Sequence, residues 1–167
     1  DYTGEKLSGK TLGIIGSDGR IGRQMKKLGK AFGMKILGHD TRWGWKGYGN
    51  LRKLLKESDI VTIHIPLQGN EGFFDREMFS LLKRTAYVIN TSRPGIFEKG
   101  ALLEALKNAT IKGAAMDFTT DAELNEYAKT RDNLVLTNHQ GGNTVEDRAT
   151  TFDFIMKKVK RFLCPSS

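Results

Sequence analysis

The sequence predicts a doubly wound α/β protein, with a parallel sheet between two helical layers (α/β/α) in a single domain. Three observations carry the prediction. Apolar runs of strand length alternate with segments whose apolar residues recur every three or four positions. The strand-length runs are nearly continuous rather than alternating, as strands buried on both faces are. A glycine-rich stretch, Gly16-Ser17-Asp18-Gly19-Arg20-Ile21-Gly22, stands between the first such run and the first helical segment.

The elements follow in order. Thr11–Ile15 reads as a buried strand. Ile21, Met25, Leu28 and Phe32 are spaced as one stripe of a helix over 21–32. Residues 34–37 form the next strand, 51–56 a short helix, and Ile60–Ile65 a strand. A helix over 75–82, a strand over 86–89, a helix over 99–107 and a strand within 111–116 come next, and Leu134–Leu136 is the last strand. Thr144 and Asp147 then make a start resembling a capping box, with Asp in the place usually held by Glu or Gln. Val145, Ala149, Phe152, Met156, Val159 and Leu163 continue as one apolar stripe of a long helix. That stripe either packs on its own sheet or docks on another domain or a second subunit.

Composition narrows the class. The 167 residues suffice for one core and are few for two ordinary domains. With 38% hydrophobic and 28% charged residues the chain is a globular protein, not a disordered one. No apolar run approaches the roughly 18–20 residues of a membrane span. The net charge of +8 comes from dispersed basic residues: Arg20, Arg23, Lys26, Lys27 and Lys30 in one segment, Lys157, Lys158, Lys160 and Arg161 in another. They read as solvated helix faces, and no nucleic-acid-binding signature accompanies them. Cys164 is the lone cysteine, so no internal disulfide forms, and a reducing, cytoplasmic setting is expected. The first residues carry neither an initiator Met nor a signal-peptide pattern, so an excised piece or part of something longer is expected.

The glycine loop carries the first chemistry. Glycines let a backbone turn tightly and approach a pyrophosphate, and the helix behind them offers open N–H groups and a positive dipole end. This is the Rossmann-type dinucleotide site, with Gly16, Gly19, Arg20, Ile21 and Gly22 as its cradle. The spacing is G-x-x-G-x-x-G, one residue longer than usual, and the extra residue is Ser17 or Asp18. An Asp there repels a pyrophosphate unless it points away. Asp40 closes the second strand 18 residues beyond Gly22, where an acid accepts from the ribose hydroxyls. A carboxylate at that place favours NAD over NADP, although Arg42 nearby is a candidate receiver for a phosphate.

Several further stretches complete the pattern: Leu7–Gly16, Asp59–Leu67, Ile89-Asn90-Thr91-Ser92-Arg93-Pro94-Gly95, Gly113–Asp117 and Leu136-Thr137-Asn138-His139-Gln140-Gly141-Gly142. Together they resemble the cofactor domain of the D-isomer-specific 2-hydroxyacid dehydrogenases over nearly the whole chain. The resemblance implies an NAD-binding domain over 1–167, with the family's substrate domain absent or truncated. It implies reversible reduction of a 2-keto acid to a D-2-hydroxyacid by hydride transfer, in a homodimer, without a metal. Arg93 then resembles the arginine that holds the substrate carboxylate and carbonyl, a bidentate task suited to a guanidinium. His139 resembles the proton donor, a task for which an imidazole is suited. Asp117 matches the residue that meets the nicotinamide carboxamide and Pro66 part of the adenine-pocket wall, while Thr91 and Gly141 are further cofactor positions.

The chain departs from the family pattern in two further places. The glutamate that pairs with the histidine falls, by direct count, on Ala122, flanked by Asp121 and Glu123. A one-residue deletion after Asp117 brings Asp121 into register, so Asp121 is the candidate, with Glu123 or no carboxylate as alternatives. Pro94 stands where the family usually has glycine. A non-catalytic NAD-binding, sensing or dimerisation module is the second reading of the same residues.

Overall fold

A computed structural model describes residues 4–40 and 48–163. Arg42, Trp43, Trp45 and Cys164 lie outside the described residues. Contacts divide the chain into two compact units, Asp1–Thr137 and Asn138–Ser167.

The first unit holds a six-stranded, all-parallel sheet: β1 (Thr11–Ile15), β2 (Lys35–His39), β3 (Ile60–Ile63), β4 (Tyr87–Asn90), β5 (Gly113–Met116) and β6 (Leu134–Leu136). The strand order is β2-β1-β3-β4-β5-β6, so the winding reverses between β1 and β3. Among the described residues, the α-helices α1 (Arg20–Ala31), α2 (Tyr48–Glu57), α3 (Arg76–Ser80), α4 (Ala101–Lys107) and α5 (Ala122–Thr130) stand between the strands. The expected element order holds, with ends moved by a few residues. α5 is an addition. Its few apolar residues leave little helical period to read, and its sequence signal is the cap: Asp121 accepts from the backbone N–H groups of Glu123 and Leu124.

Alternation along β1 divides the core between the two faces. Leu12 and Ile14 pack with Met34, Met25, Ile36 and Ile60 on one side. Ile15 joins the larger core built by α2 to α5, with Leu54, Ile63, Val88, Leu102 and Met116. Within that core Phe74 lies edge-on to Phe79 and Phe97, with centroids 4.8 and 5.8 Å away.

Of the apolar stripe of α1 only Met25 packs on the core, and the face the helix buries is made by glycines. Gly22 and Gly29 are buried, whereas Ile21, Leu28 and Phe32 are each more than half exposed. A Cβ on Gly29 would stand 2.7 Å from Ile36 Cδ1 and 2.9 Å from Leu12 Cδ2. The helix is seated so close to the sheet that only glycine fits beneath it.

The second unit contains α6 (Val145–Leu163). Thr144 Oγ1 accepts from the Asp147 N–H at 3.0 Å, the first half of the expected capping box. Along α6, Val145, Phe152, Phe154 and Ile155 are exposed, and Lys158 Nζ lies 4.8 Å from the Phe154 ring centre. No helix among the described residues is long and apolar enough to cross a membrane.

Candidate dinucleotide site

Parallel strands in register bring their carboxyl ends to one edge. Ile15 aligns with His39 and Ile63, Ile63 with Asn90, and Asn90 with Met116. The residues that follow these strand ends therefore share one rim: Gly16, Asp40, Pro66, Thr91 to Arg93, and Asp117. That rim, at the reversal between β1 and β3, is where such sheets bind ligands.

The glycine loop is shaped for close backbone approach. Gly16 has φ +85°, and a Cβ there would lie 2.4 Å from the His64 carbonyl oxygen. Its N–H and that of Ser17 both donate to the His39 carbonyl, at 2.8 and 3.0 Å. Gly19 caps α1 without a side-chain hydrogen bond, and the first turn has no acidic residue. Arg20 and Ile21 open the helix, exposed. A Cβ on Gly22 would stand 2.1 Å from the Gly16 carbonyl oxygen and 2.8 Å from Ser17 Cα. Strand end, loop and helix start are thus in backbone contact, which leaves the helix N-terminus open to an anion. These features fit a dinucleotide pyrophosphate.

The lengthened loop resolves into two roles. Ser17 is buried beneath β2, where a Cβ on Gly38 would lie 2.8 Å from its Oγ. Asp18 turns to α1: its carboxylate Oδ1 accepts from Lys26 Nζ at 2.6 Å, and its carbonyl accepts from Arg23 Nε at 2.8 Å. Its N–H donates to Asp40 Oδ2 at 2.9 Å, so Asp40 is tied directly to the loop.

Farther along the rim, buried Asn90 shapes the turn that carries Arg93. Its Oδ1 accepts from the Ser92 N–H and its Nδ2 donates to the Arg93 carbonyl, both at 2.9 Å. Ser92 Oγ donates to the Ile63 carbonyl at 2.9 Å. Thr91 and Arg93 are left exposed at the turn. Thr137 Oγ1 donates to Asp117 Oδ1 at 2.7 Å, which orients that carboxylate. Pro66 is exposed just past β3, and its carbonyl accepts from Asn70 Nδ2 at 2.9 Å. Asn90, Thr137 and Lys26 do not stand out in sequence reasoning. An Asn followed by Ser two residues on, at a strand end, is an Asx-turn signal that points to the first of them.

Asp121 Oδ1 accepts from the N–H groups of Glu123 and Leu124, at 2.9 and 3.2 Å, as the N-cap of α5. Glu123 and Ala122 are exposed in the first turn of that helix. His139 and Gly141 belong to the second unit, where both are exposed. His139 adopts φ +56°, an uncommon conformation for a residue other than glycine. Burial pushes the other two histidines, His39 and His64, below their ordinary value, with Asp40 opposing the shift at His39. His64 Nε2 lies 2.9 Å from Thr62 Oγ1, and its Nδ1 is buried without a hydrogen bond. Among the described residues no group of three or more His, Cys, Asp or Glu is placed to hold a metal.

Residues 1–141 match the model of the D-isomer specific 2-hydroxyacid dehydrogenase NAD binding domain. The chain is 36% identical to D-3-phosphoglycerate dehydrogenase of Methanocaldococcus jannaschii, covering 97% of this chain and 33% of that protein. D-lactate dehydrogenase of Aquifex aeolicus, solved with NAD and lactic acid, superposes with TM-score 0.82 at 29% identity, over 96% of this chain and 55% of that one. An acyclic imino acid reductase, solved with NADPH and D-Arg, superposes with TM-score 0.83 at 29% identity, over 98% of this chain and 54% of that one. The chain therefore belongs to the D-isomer-specific 2-hydroxyacid dehydrogenase family, as its NAD-binding domain. It spans between a third and about half the length of the curated relatives it matches first.

Proposed function

We propose that this chain is the cofactor domain of an enzyme that reversibly reduces a 2-keto acid to a D-2-hydroxyacid. The single observation that carries the reading is the rim itself, where the glycine loop, Asp40 and the Asn90-shaped turn bearing Arg93 all end on one sheet edge. A nicotinamide dinucleotide held on this rim would supply the hydride chemistry. Gly16, Gly19, Arg20, Ile21 and Gly22 hold the pyrophosphate, and Asp40 accepts from the adenosine ribose. Pro66, Thr91 and Asp117 line the rest of the cofactor path, and Gly141 is a further cofactor residue by the family pattern. Arg93 grips the substrate carboxylate, and His139 delivers the proton to the forming alkoxide and removes it in reverse. Asp121 is the candidate for the family's third catalytic residue, with Glu123 or no carboxylate as alternatives. The family's substrate domain is absent or truncated here, and the enzyme works as a cytoplasmic homodimer without nucleic acid or membrane. The lone cysteine supports the compartment, and the family's habit supports the dimer.

A second reading has its own observation in favour: Ala122 stands at the direct-count place of the family glutamate, and Asp121 is engaged in capping α5. Without a carboxylate behind it, the proton donor loses the partner that holds and orients it. The domain would then bind NAD without turning over substrate. Assaying the full-length parent for NADH oxidation against a panel of 2-keto acids separates the two. Under the first reading turnover is present and His139→Ala lowers kcat by about 10²–10⁴-fold. No oxidation with any member of the panel, or activity untouched by His139→Ala, refutes it.

A further inference from the structure

We propose that Asp18 and Lys26 form a second determinant of coenzyme choice, which biases the adenosine end of the site toward a 2′-hydroxyl and against a 2′-phosphate. The inference rests on the reading of Asp40 as the ribose acid and adds to it Asp18, from the lengthened glycine loop, and Lys26, from α1. The extra residue of the longer loop is Ser17 or Asp18: Ser17 packs against β2, and Asp18 brings a carboxylate onto Lys26 with its N–H on Asp40. The Asp18 N–H donates to Asp40 Oδ2 at 2.9 Å, so the Asp18 backbone meets the Asp40 carboxylate although the two are 22 residues apart in sequence. The Asp18 carboxylate receives Lys26 Nζ at 2.6 Å. Where a Cβ would stand on Gly38, Lys26 Cε is 3.5 Å away, so the Lys26 stem lies over β2 two residues before Asp40.

Charge explains the consequence. A lysine at the end of β2 is what a 2′-phosphate needs, since a compact ammonium binds phosphate as a point charge. Here that ammonium is turned onto Asp18, and Asp18 adds negative potential beside Asp40. The pair is about one-third exposed at Lys26 and somewhat more at Asp18, so water and salt weaken its field without abolishing it. Arg23 holds the Asp18 carbonyl, which fixes the loop independently of the carboxylate. Replacing the carboxylate by an amide therefore removes a charge while leaving the loop backbone tied at Asp40 and Arg23.

The test is a titration of the intact chain with NADH and NADPH, wild type against Asp18→Asn, Lys26→Met and the double variant. Asp18→Asn is expected to lower the NADPH-to-NADH Kd ratio by about tenfold at low salt, with the change shrinking toward unity by about 1 M salt as the screening length falls. Lys26→Met added to it is expected to return the ratio to within about threefold of wild type, because the net charge is then restored. Lys26→Met alone is expected to raise the ratio. A ratio within twofold of wild type in Asp18→Asn, or one that Lys26→Met fails to restore, overturns the proposal. Should Asp18→Asn lose NADH binding, Lys26→Met alone decides it, since an unchanged ratio there is equally fatal. Wild-type chain that binds neither nucleotide would instead strike the site reading on which the proposal rests.

Discussion

Replacing Gly22 by Ala tests the seating of α1 directly. In an ordinary helix interior the change gains about 1 kcal/mol of helix propensity. Here the new methyl would stand 2.1 Å from the Gly16 carbonyl oxygen and 2.8 Å from Ser17 Cα. Both are backbone atoms, so neither can rotate away, and restoring ordinary contact requires a displacement of about 1 Å. α1 must lift at its N-terminal end. That movement loosens the close fit of Gly29 over Ile36 and Leu12 and pulls the first-turn N–H groups off the position where a phosphate would meet them. Overpacking of this kind costs about 1–3 kcal/mol beyond the propensity gain. For a chain of this size the melting temperature should fall by roughly 3–10 °C. NADH affinity should fall by about tenfold or more, the equivalent of one charge-assisted hydrogen bond. Differential scanning fluorimetry and an NADH titration read both. Gln24→Ala, exposed on the same helix, is the control and should stay within about 0.5 kcal/mol of wild type. A Gly22→Ala chain as stable as wild type, with unchanged NADH affinity, would refute the close-contact argument.

Asp59 ties the start of the sheet together, accepting from the Thr11 N–H and from Lys83 Nζ, both at 2.8 Å. Burial raises its carboxyl, but the hydrogen bonds from Lys83 and Thr11 outweigh this and leave it below the ordinary 3.8. The unfolded chain therefore binds the proton first, and the stabilisation is present above pH 3.8 and lost as pH falls through the lower folded value. Asp59→Ala should cost about 1–2 kcal/mol at neutral pH by denaturant unfolding, and a gap from wild type that fails to narrow below pH 3.8 would contradict the assignment. His39 and His64 are both held below the ordinary 6.5 by burial, with Asp40 partly opposing it at His39. Stability should then decline as pH drops from 6.5, because the unfolded chain takes up protons that the folded one resists. NMR titration should place both imidazole midpoints under 6.5, and midpoints at or above it would remove this source of acid sensitivity.

Much of the architecture was legible because it rests on local periodicity and short-range chemistry. Continuous apolar runs announced strands covered on both faces, and the glycines between β1 and α1 announced the phosphate cradle before any contact was known. The order of motifs along 7–142 identified the family, since each carries a local backbone demand at a strand end. Other features depended on groups far apart in sequence. The spacing of Ile21, Leu28 and Phe32 gives a helix, but only the distance from α1 to β2 shows that glycines, not those residues, face the sheet. α5 has too few apolar residues for its period to register, and its sequence signal is confined to the cap residue Asp121. Asp18 looked like a misplaced negative charge beside a pyrophosphate. Folding turns its carboxylate onto Lys26 and its N–H onto Asp40, partners supplied by the next helix and the next strand. Hydrophobic period and turn chemistry act over a few residues and can be read along the chain, whereas the pairing of charges across 8 and 22 residues exists only once the sheet has set their distances.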